Sequence, residues 1–491
     1  MKFDPNVEAA ACMSELIARR YGLLPLSLCQ LTGQLTVACE QQPELLQRDQ
    51  VLRELVGVQK IVWSIATRVE IARGLDHCYG AGGLLDAVLG GFDASSAGLP
   101  GVEIGVDNAH GNTLIMRLVN TILEDAVTRR ASDVHLNPED DFVRLRYRID
   151  GVLHLVKQIR MQLHAGIVVR IKVLAALDIA ESRMPQDGQI SQFIHGEQVD
   201  FRVSCFPVRG GENIVLRILD RRRVLGDLSV LGQSRDMTCK LRALLQRPDG
   251  MVVVCGPTGA GKTTTLYALL GELDSETLNV MTLEDPIEYP LEKVRQASVD
   301  PSRKIDFATG IRGLLRQDPD VLLIGEIRDN DSCAMALRAT MSGHQVLTTV
   351  HASDSVAAIG RLLELGAVPN VLAASLVCVI AQRLVRLCCG CQPIGASKSK
   401  IIDEDCEVDH AGVCHECQGS GFFDRGALLE LLFITPALQA LIVERADDAT
   451  LRRQAMSEGL ETLRMAGLVQ VDAGRTTLAE LGRVLGNTVC S

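Results

Sequence analysis

The sequence predicts an α/β protein whose core is a parallel sheet with crossover helices. Three observations carry this reading. The apolar runs MVVVCG, TLNVMTLE, PDVLLIGE and QVLTTVH alternate with helical segments, which is the rhythm of a parallel sheet. A Gly-rich loop, GPTGAGKT, follows the first of these strands and opens a helix. The 491 residues are 47% hydrophobic and 23% charged, as globular domains are, and the length suggests two to four domains.

In chain order, residues 1–80 mix short helical and strand-like pieces such as LTGQLTVAC and VQKIVWSIA, and they predict a small α/β domain. Residues 81–110 are rich in Gly, Ala and Ser and predict a flexible linker. From residue 111, TLIMRLVNTILEDAVTRRA has the spacing of an amphipathic helix. DFVRLRYRIDGVLHLV alternates around the turn IDG, as a hairpin does. AGIVVRIKVLAALDIA reads as helix, and GEQVDFRVSCFP and ENIVLRILD read as strands, giving an α+β domain over 111–225. The parallel-sheet domain spans 235–491, with a Cys- and Gly-rich interruption over 385–425 and a helical tail.

Composition narrows the function. The net charge is -11, aromatics are 3% and there is one Trp. Basic patches and stacking rings hold nucleic acids, so no nucleic-acid partner is expected. The amino terminus lacks a basic start followed by an apolar stretch, so no secretory signal is expected. The most apolar window, VLAASLVCVIA (Val371 to Ala381), is too short to span a bilayer and is expected to be a buried helix. The protein is therefore expected in the cytoplasm, touching membranes only through partners.

Gly256, Pro257, Thr258, Gly259, Ala260, Gly261, Lys262 and Thr263 fit G-x-x-x-x-G-K-[ST] in full, and Thr264 follows. The strand before and the helix after are the context this motif needs. Its glycines let several backbone N–H groups face one anion, and the helix adds its positive end. Lys262 can reach the β- and γ-phosphates of a nucleotide, and Thr263 can hold Mg²⁺. Three other predicted strands end in groups suited to hydrolysis: Glu284 and Asp285, Glu326, and His351. Ligands of open α/β sheets bind at strand ends. There a carboxylate can order the attacking water or serve the metal, and a His can sense the γ-phosphate.

The chain holds 16 Cys. Most are scattered among apolar residues and read as core packing. Cys388-x-x-Cys391 and Cys414-x-x-Cys417 differ, since two such pairs supply four thiolates for a structural Zn²⁺. Cys389 is a spare neighbour, and Cys406, His410 and His415 are alternative ligands.

The stretches GPTGAGKTTTLYALL, TLEDPIEYPL, GLLRQDPDVLLIGEIRD and TTVHASDSVAAIGRLL resemble the Walker A, aspartate-box, Walker B and histidine-box motifs of the GspE/PilB secretion ATPases. That family serves type II secretion and type IV pilus assembly. The resemblance continues upstream through ASDVHLNP, YRIDGVLH, RIKVLAALDIAESRMPQDGQI and VDFRVS, and downstream to GRTTLAELGRVL. It covers roughly residues 111–490, and residues 1–80 are loosely similar to the family's amino-terminal domain. It implies a RecA-like P-loop domain, an α+β, PAS-like domain before it and a zinc-binding insertion. It also implies a homohexamer that hydrolyses ATP with Mg²⁺. Glu284 would then activate water, Thr263 and Glu326 would serve Mg²⁺, and His351 would touch the γ-phosphate. Arg202, Arg217, Arg312 and Arg316 would neutralise charge in the transition state. The zinc element resembles that of assembly rather than retraction ATPases. The implied partners are an inner-membrane platform protein and a membrane-bound adaptor, which would hold the protein peripherally at that membrane. The alternative is a DNA-translocating or conjugation-type ATPase.

Overall fold

The computed structural model describes residues 109–194, 196–219, 228–300, 302, 305–391, 414, 416, 417 and 419–486. Among the first 108 it describes 9, 12, 13, 18, 21–29, 32–40, 55, 58, 60–67, 71, 74, 75, 85, 88 and 89. The chain divides into two compact units, Met1–Leu219 and Asp220–Ser491.

The first unit opens with a three-stranded sheet, β1 (Leu24–Cys29), β2 (Gln34–Cys39) and β3 (Lys60–Ile65). β1 and β2 are antiparallel, and β2 and β3 are parallel. Leu24, Leu35, Val37 and Ala38 are buried beneath it. The expected linker does not begin at residue 81. Leu85, Val88 and Leu89 are helical, and Leu85 and Val88 are buried in the core of the following α+β fold. The Gly/Ala-rich composition conceals an i, i+3, i+4 apolar triplet, which suffices to dock one helical face.

That α+β fold sets helix α1 (Ala109–Thr128) and helix α2 (His164–Leu174) against a six-stranded antiparallel sheet. Its strands are β4 (Asp133–Pro138), β5 (Phe142–Ile149), β6 (Val152–Arg160), β7 (Gln186–Ile194), β8 (Glu197–Val208) and β9 (Gly211–Leu219), ordered 6-5-4-9-8-7. Leu118, Ile122 and Leu123 of α1 meet Val134, Leu136, Leu145 and Tyr147 in one core. The phenol of Tyr147 donates to Ile122 O at 3.0 Å, which satisfies its buried hydroxyl. The β5–β6 hairpin turns on Asp150 and Gly151, both with positive φ (48° and 84°), as a two-residue turn between right-twisted strands requires.

The second unit is built on a seven-stranded sheet. Its strands are β10 (Gly250–Cys255), β11 (Val280–Glu284), β12 (Arg295–Ser298), β13 (Val321–Ile324), β14 (Gln345–Val350), β15 (Leu376–Cys388) and β16 (Phe422–Phe433), ordered 12-11-13-14-10-15-16. All pairings are parallel except β15 with β16. Every residue of β10 and β14 is buried, as central parallel strands require. Alternate β10 residues serve opposite faces. Met251, Val253 and Cys255 join the core that holds α5 (Phe307–Leu314), α6 (Asn330–Met341), α7 (Ser355–Glu364) and α8 (Pro369–Ser375). Val252 and Val254 join the core that holds α3 (Arg235–Leu245) and α4 (Lys262–Gly271).

The window Val371 to Ala381 is not one buried helix. It is helical to Ser375 and then becomes β15. The run is buried along both halves, so hydropathy alone cannot place the break. The β-branched Val377, Val379 and Ile380 favour strand. No helix of the described residues is long and apolar enough to cross a membrane.

The tail folds as α9 (Pro436–Val443), α10 (Asp448–Ser457), α11 (Leu463–Asp472) and α12 (Leu478–Leu485). Glu480 of α12 is buried against β15. It accepts from Arg386 Nε and Nη2 at 3.0 and 2.8 Å and from the Arg386 backbone N–H at 3.0 Å. Arg483 adds two further donors. Desolvation works against the charge, but the Arg483 and Arg386 guanidinium groups hold this carboxyl down to about 2.

Candidate active site

The phosphate loop leaves β10 at Cys255 and enters α4 at Lys262. Gly259 and Gly261 hold φ of 77° and 84°, open to glycine at no steric cost. Lys262 Nζ folds back onto its own loop, donating to Gly256 O at 2.9 Å and Pro257 O at 3.1 Å. Burial pulls the pKa of this ammonium down, and Glu326 partly opposes the shift. Thr263 and Thr264 follow in the first turn of α4. Gly256 to Thr264 thus lie on the carboxyl edge of the sheet, at the end of β10, which pairs with the middle strand β14.

Glu284 is the last residue of β11, and Glu326 lies two residues past the end of the neighbouring β13, where Leu283 lies opposite Ile324. Glu284 is buried at 4% exposure. Its Oε1 accepts from Thr282 Oγ1 at 2.6 Å and Gln296 Nε2 at 3.1 Å, and its Oε2 accepts from the Tyr267 phenol. Burial first, and the Glu284 carboxylate second, push the Tyr267 phenol far above its ordinary value. Tyr289 packs edge-on to Tyr267 with ring centroids 4.9 Å apart. Glu326 is more open. It accepts from Arg328 Nη2, and its other oxygen lies 3.6 Å from His351 Nε2. Arg328 Nη1 also donates to Asp285 Oδ2 at 3.1 Å, so one guanidinium ties the two strand ends together. Thr349 Oγ1 donates to Gly325 O at 2.8 Å and fixes the β14 end beside them.

Glu284, Glu326, His351 and the phosphate loop therefore share one sheet edge. Arg312 lies in the last turn of α5 and Arg316 just beyond it, both exposed. Arg202 and Arg217 belong to the first unit, where they are directly opposite on β8 and β9. Like charges facing each other repel. Asp133, the β4 residue opposite Arg217, counters this by accepting from Arg217 Nε at 3.1 Å, and it lies 3.4 Å from Arg148 Nε.

The cysteine pairing needs one correction. The thiols that converge are those of Cys389, Cys391, Cys414 and Cys417, all within 4.8 Å of one another. Cys388 is not among them. It closes β15, pairs with Phe422 of β16, and its N–H donates to Arg475 O at 2.7 Å. Cys388 is still held in the strand pairing, whereas Cys389 and Cys391 lie past the end of β15, in the turn that brings their thiols together. Cys406, His410 and His415 lie outside the described residues. The sulfurs of Cys389 and Cys414 are 3.8 Å apart and those of Cys391 and Cys417 are 3.6 Å apart. A tetrahedral Zn²⁺ with bonds of about 2.3 Å sets sulfurs about 3.8 Å apart, so these four fit zinc. Backbone N–H groups of Cys417 and Glu416 lower Cys414 to about 7, towards the thiolate that a metal binds.

Sequence reasoning missed Tyr267, Thr282, Gln296 and Arg328, which orient the two carboxylates. Arg328 had a signal, since a base two residues beyond a strand-end acid can fold back on it. Thr282 also had one, since it lies two residues before Glu284 on the same strand and so shares its face, whereas Tyr267 and Gln296 reach Glu284 from a helix and a neighbouring strand that no local spacing marks.

The chain matches the family model described as type II/IV secretion system protein over residues 108–483, and the MshEN domain model over residues 1–83. The type II secretion system protein E of Dickeya dadantii is 42% identical over 379 residues, covering 75% of each chain. A type II secretion system protein E of Pseudomonas aeruginosa is 38% identical over 481 residues, 95% of each. The type IV pilus assembly ATPase PilB of Myxococcus xanthus is 39% identical over 390 residues, 76% of this chain and 68% of that one. Among solved structures, the pilus retraction motor PilT with bound ADP aligns with a TM-score of 0.51 and 26% identity over 73% of this chain and 94% of PilT. The Legionella pneumophila ATPase DotB shares the fold, with a TM-score of 0.57 over 74% of this chain and 93% of DotB at 19% identity. On the sheet-edge geometry and these matches together, the chain belongs to the type II/IV secretion system protein family.

Proposed function

We propose that this ATP-hydrolysing secretion or pilus enzyme acts as a cytoplasmic homohexamer that adds pilin-like subunits to a type II secretion pseudopilus or a type IV pilus. The observation that carries the reading is the shared edge of Lys262, Glu284, Glu326 and His351, in a chain 42% identical to one type II secretion protein E and 39% to PilB. Gly256 to Thr264 would cradle the phosphates. Thr263 and Glu326 offer the hard oxygen donors that suit Mg²⁺, which would neutralise phosphate charge. Glu284, held in place by Tyr267, Thr282 and Gln296, would orient the attacking water and take its proton. His351 would hydrogen-bond the γ-phosphate. Arg202, Arg217, Arg312 and Arg316 would supply positive charge to the transition state, a role worth about 10³ to 10⁵ in rate for an arginine finger. Cys389, Cys391, Cys414 and Cys417 would hold a structural Zn²⁺, and an inner-membrane platform protein and membrane-bound adaptor would receive the motion.

The test is co-purification of the full chain with the platform protein, alongside native mass measurement. A hexamer that captures the platform protein, and whose ATP turnover double-stranded DNA leaves unchanged, supports the proposal. Stimulation by DNA without capture of the platform protein would favour the conjugation-type alternative.

A further inference from the structure

β15 outruns its parallel neighbour. It pairs Cys255, the last residue of β10, with Ala381 and then continues along β16 alone. Its next residue, Gln382, therefore stands beside the phosphate loop, at 1% exposure. The side chain makes two hydrogen bonds, both to the loop and its helix. Nε2 donates to Ala260 O at 2.8 Å, and Oε1 accepts from Thr265 Oγ1 at 2.5 Å. The direction of the amide is fixed by chemistry, because the Ala260 carbonyl can only accept.

The same residue explains two of the loop's glycines. A Cβ at Gly256 would sit 2.7 Å from Gln382 O, and one at Gly261 would sit 2.8 Å from Gln382 Nε2. Gln382 O is itself held, accepting from Arg383 Nη1 at 2.9 Å, while Arg383 Nη2 donates to Ser353 O at 2.6 Å. The backbone of the loop is thus pressed against a buried residue whose side-chain amide and backbone carbonyl are both hydrogen-bonded.

The consequence follows from peptide geometry. In a planar trans peptide the C=O and N–H point in opposite directions. Drawing the Ala260 carbonyl towards Gln382 turns the Gly261 N–H away from it, to the other side of the loop. We infer that Gln382 is a positioning residue for nucleotide binding, which holds the Ala260–Gly261 peptide so that its N–H is presented to the phosphates before they arrive. This rests on the loop binding nucleotide, and it adds a residue from outside the motif that prepares the grip.

The test uses the full chain. Gln382→Met keeps the length and loses both hydrogen bonds. Gln382→Glu keeps the acceptor for Thr265 but turns an oxygen towards the Ala260 carbonyl. For each, the Kd of a fluorescent ADP analogue is measured together with the KM and kcat for ATP. Both substitutions should raise Kd and KM about ten-fold, the cost of one buried hydrogen bond left unmade. The kcat should stay within about three-fold, since no group at the reacting phosphate is altered. A folded Gln382→Met protein with unchanged Kd, or a fall in kcat at unchanged KM, overturns the inference. If neither variant folds, Thr265→Val decides. It frees only the Oε1 end and should weaken ADP binding by a few-fold, and unchanged binding overturns the inference. Lys262→Ala serves as the control. If the unaltered protein binds the analogue no better than Lys262→Ala does, the nucleotide-binding reading fails instead.

Discussion

Two neighbouring strands of the second unit, β11 and β13, lead into carboxylates that are held in contrasting ways. Glu284 closes β11 inside a shell of neutral donors, the hydroxyls of Tyr267 and Thr282 and the amide of Gln296. Glu326, two residues past the adjacent β13, has charged or chargeable neighbours, Arg328 and His351, and reaches solvent more readily. A carboxylate fixed by neutral donors has its orientation set in advance. One held by an exposed guanidinium can exchange that partner for a cation. The contrast teaches that two acids on one sheet edge are held differently, as the proposed division of work between directing a water and meeting a metal would require.

The largest expected effect tests the first half of that contrast. Glu284→Gln should lower kcat for ATP hydrolysis about 10²- to 10⁴-fold, the range for loss of a general base, and leave nucleotide Kd nearly unchanged. Next, Glu326→Gln should lower turnover less, by about ten- to a hundred-fold, and raise the Mg²⁺ concentration needed for half-maximal rate. Titration of both variants with Mg²⁺ separates them, and equal shifts in Mg²⁺ requirement would erase the distinction. Tyr267→Phe should be milder, a few-fold loss of kcat with a stability cost of about 1 to 3 kcal/mol from the acceptor left unpaired. Thermal denaturation and steady-state rates measured together check it.

The smallest effect on activity comes from a third acid, Glu480, which is buried like Glu284 but gripped by charges as Glu326 is. Its folded value of about 2 lies below the ordinary glutamate value of about 4.3. A depressed value adds stability that is fully present above the unfolded value and is lost as pH falls through the folded one. The unaltered protein should therefore lose thermal stability more steeply than Glu480→Gln between about pH 4.3 and 2. Their ATP turnover at neutral pH should agree closely. Parallel acid profiles would show that the Arg386 and Arg483 clamp contributes nothing.

The contrast also shows where sequence reading stops. The phosphate loop is a local device, with its glycines, its Lys262 and its helix contiguous, so it is legible as written. The acids at Glu284 and Glu326 are legible because strand ends on one edge must converge. Their hydrogen-bond shells are not legible. Gln296 reaches Glu284 from the next strand and Tyr267 from a helix, so only the packing brings them there. The same limit explains the cysteines. Counting C-x-x-C pairs selects Cys388, but that residue is held in the pairing of β15 with β16, and the cluster takes Cys389 just past the strand end. The run from Val371 to Ala381 is apolar enough for either element, and pairing with β10 and β16 adds to the β-branched Val377, Val379 and Ile380 to make its second half a strand.

β15 has a mechanical meaning as well. Extended backbone hardly stretches, and the residues from Gln382 to Cys388 span about 20 Å at about 3.3 Å each. One end of that span lies against the Gly256 to Thr264 loop, and the other leads into the sulfur cluster. Along the way Arg386 bolts it to the carboxyl-terminal tail through Glu480. One continuous strand thus joins the loop to the cluster, as a tie rod joins two fittings.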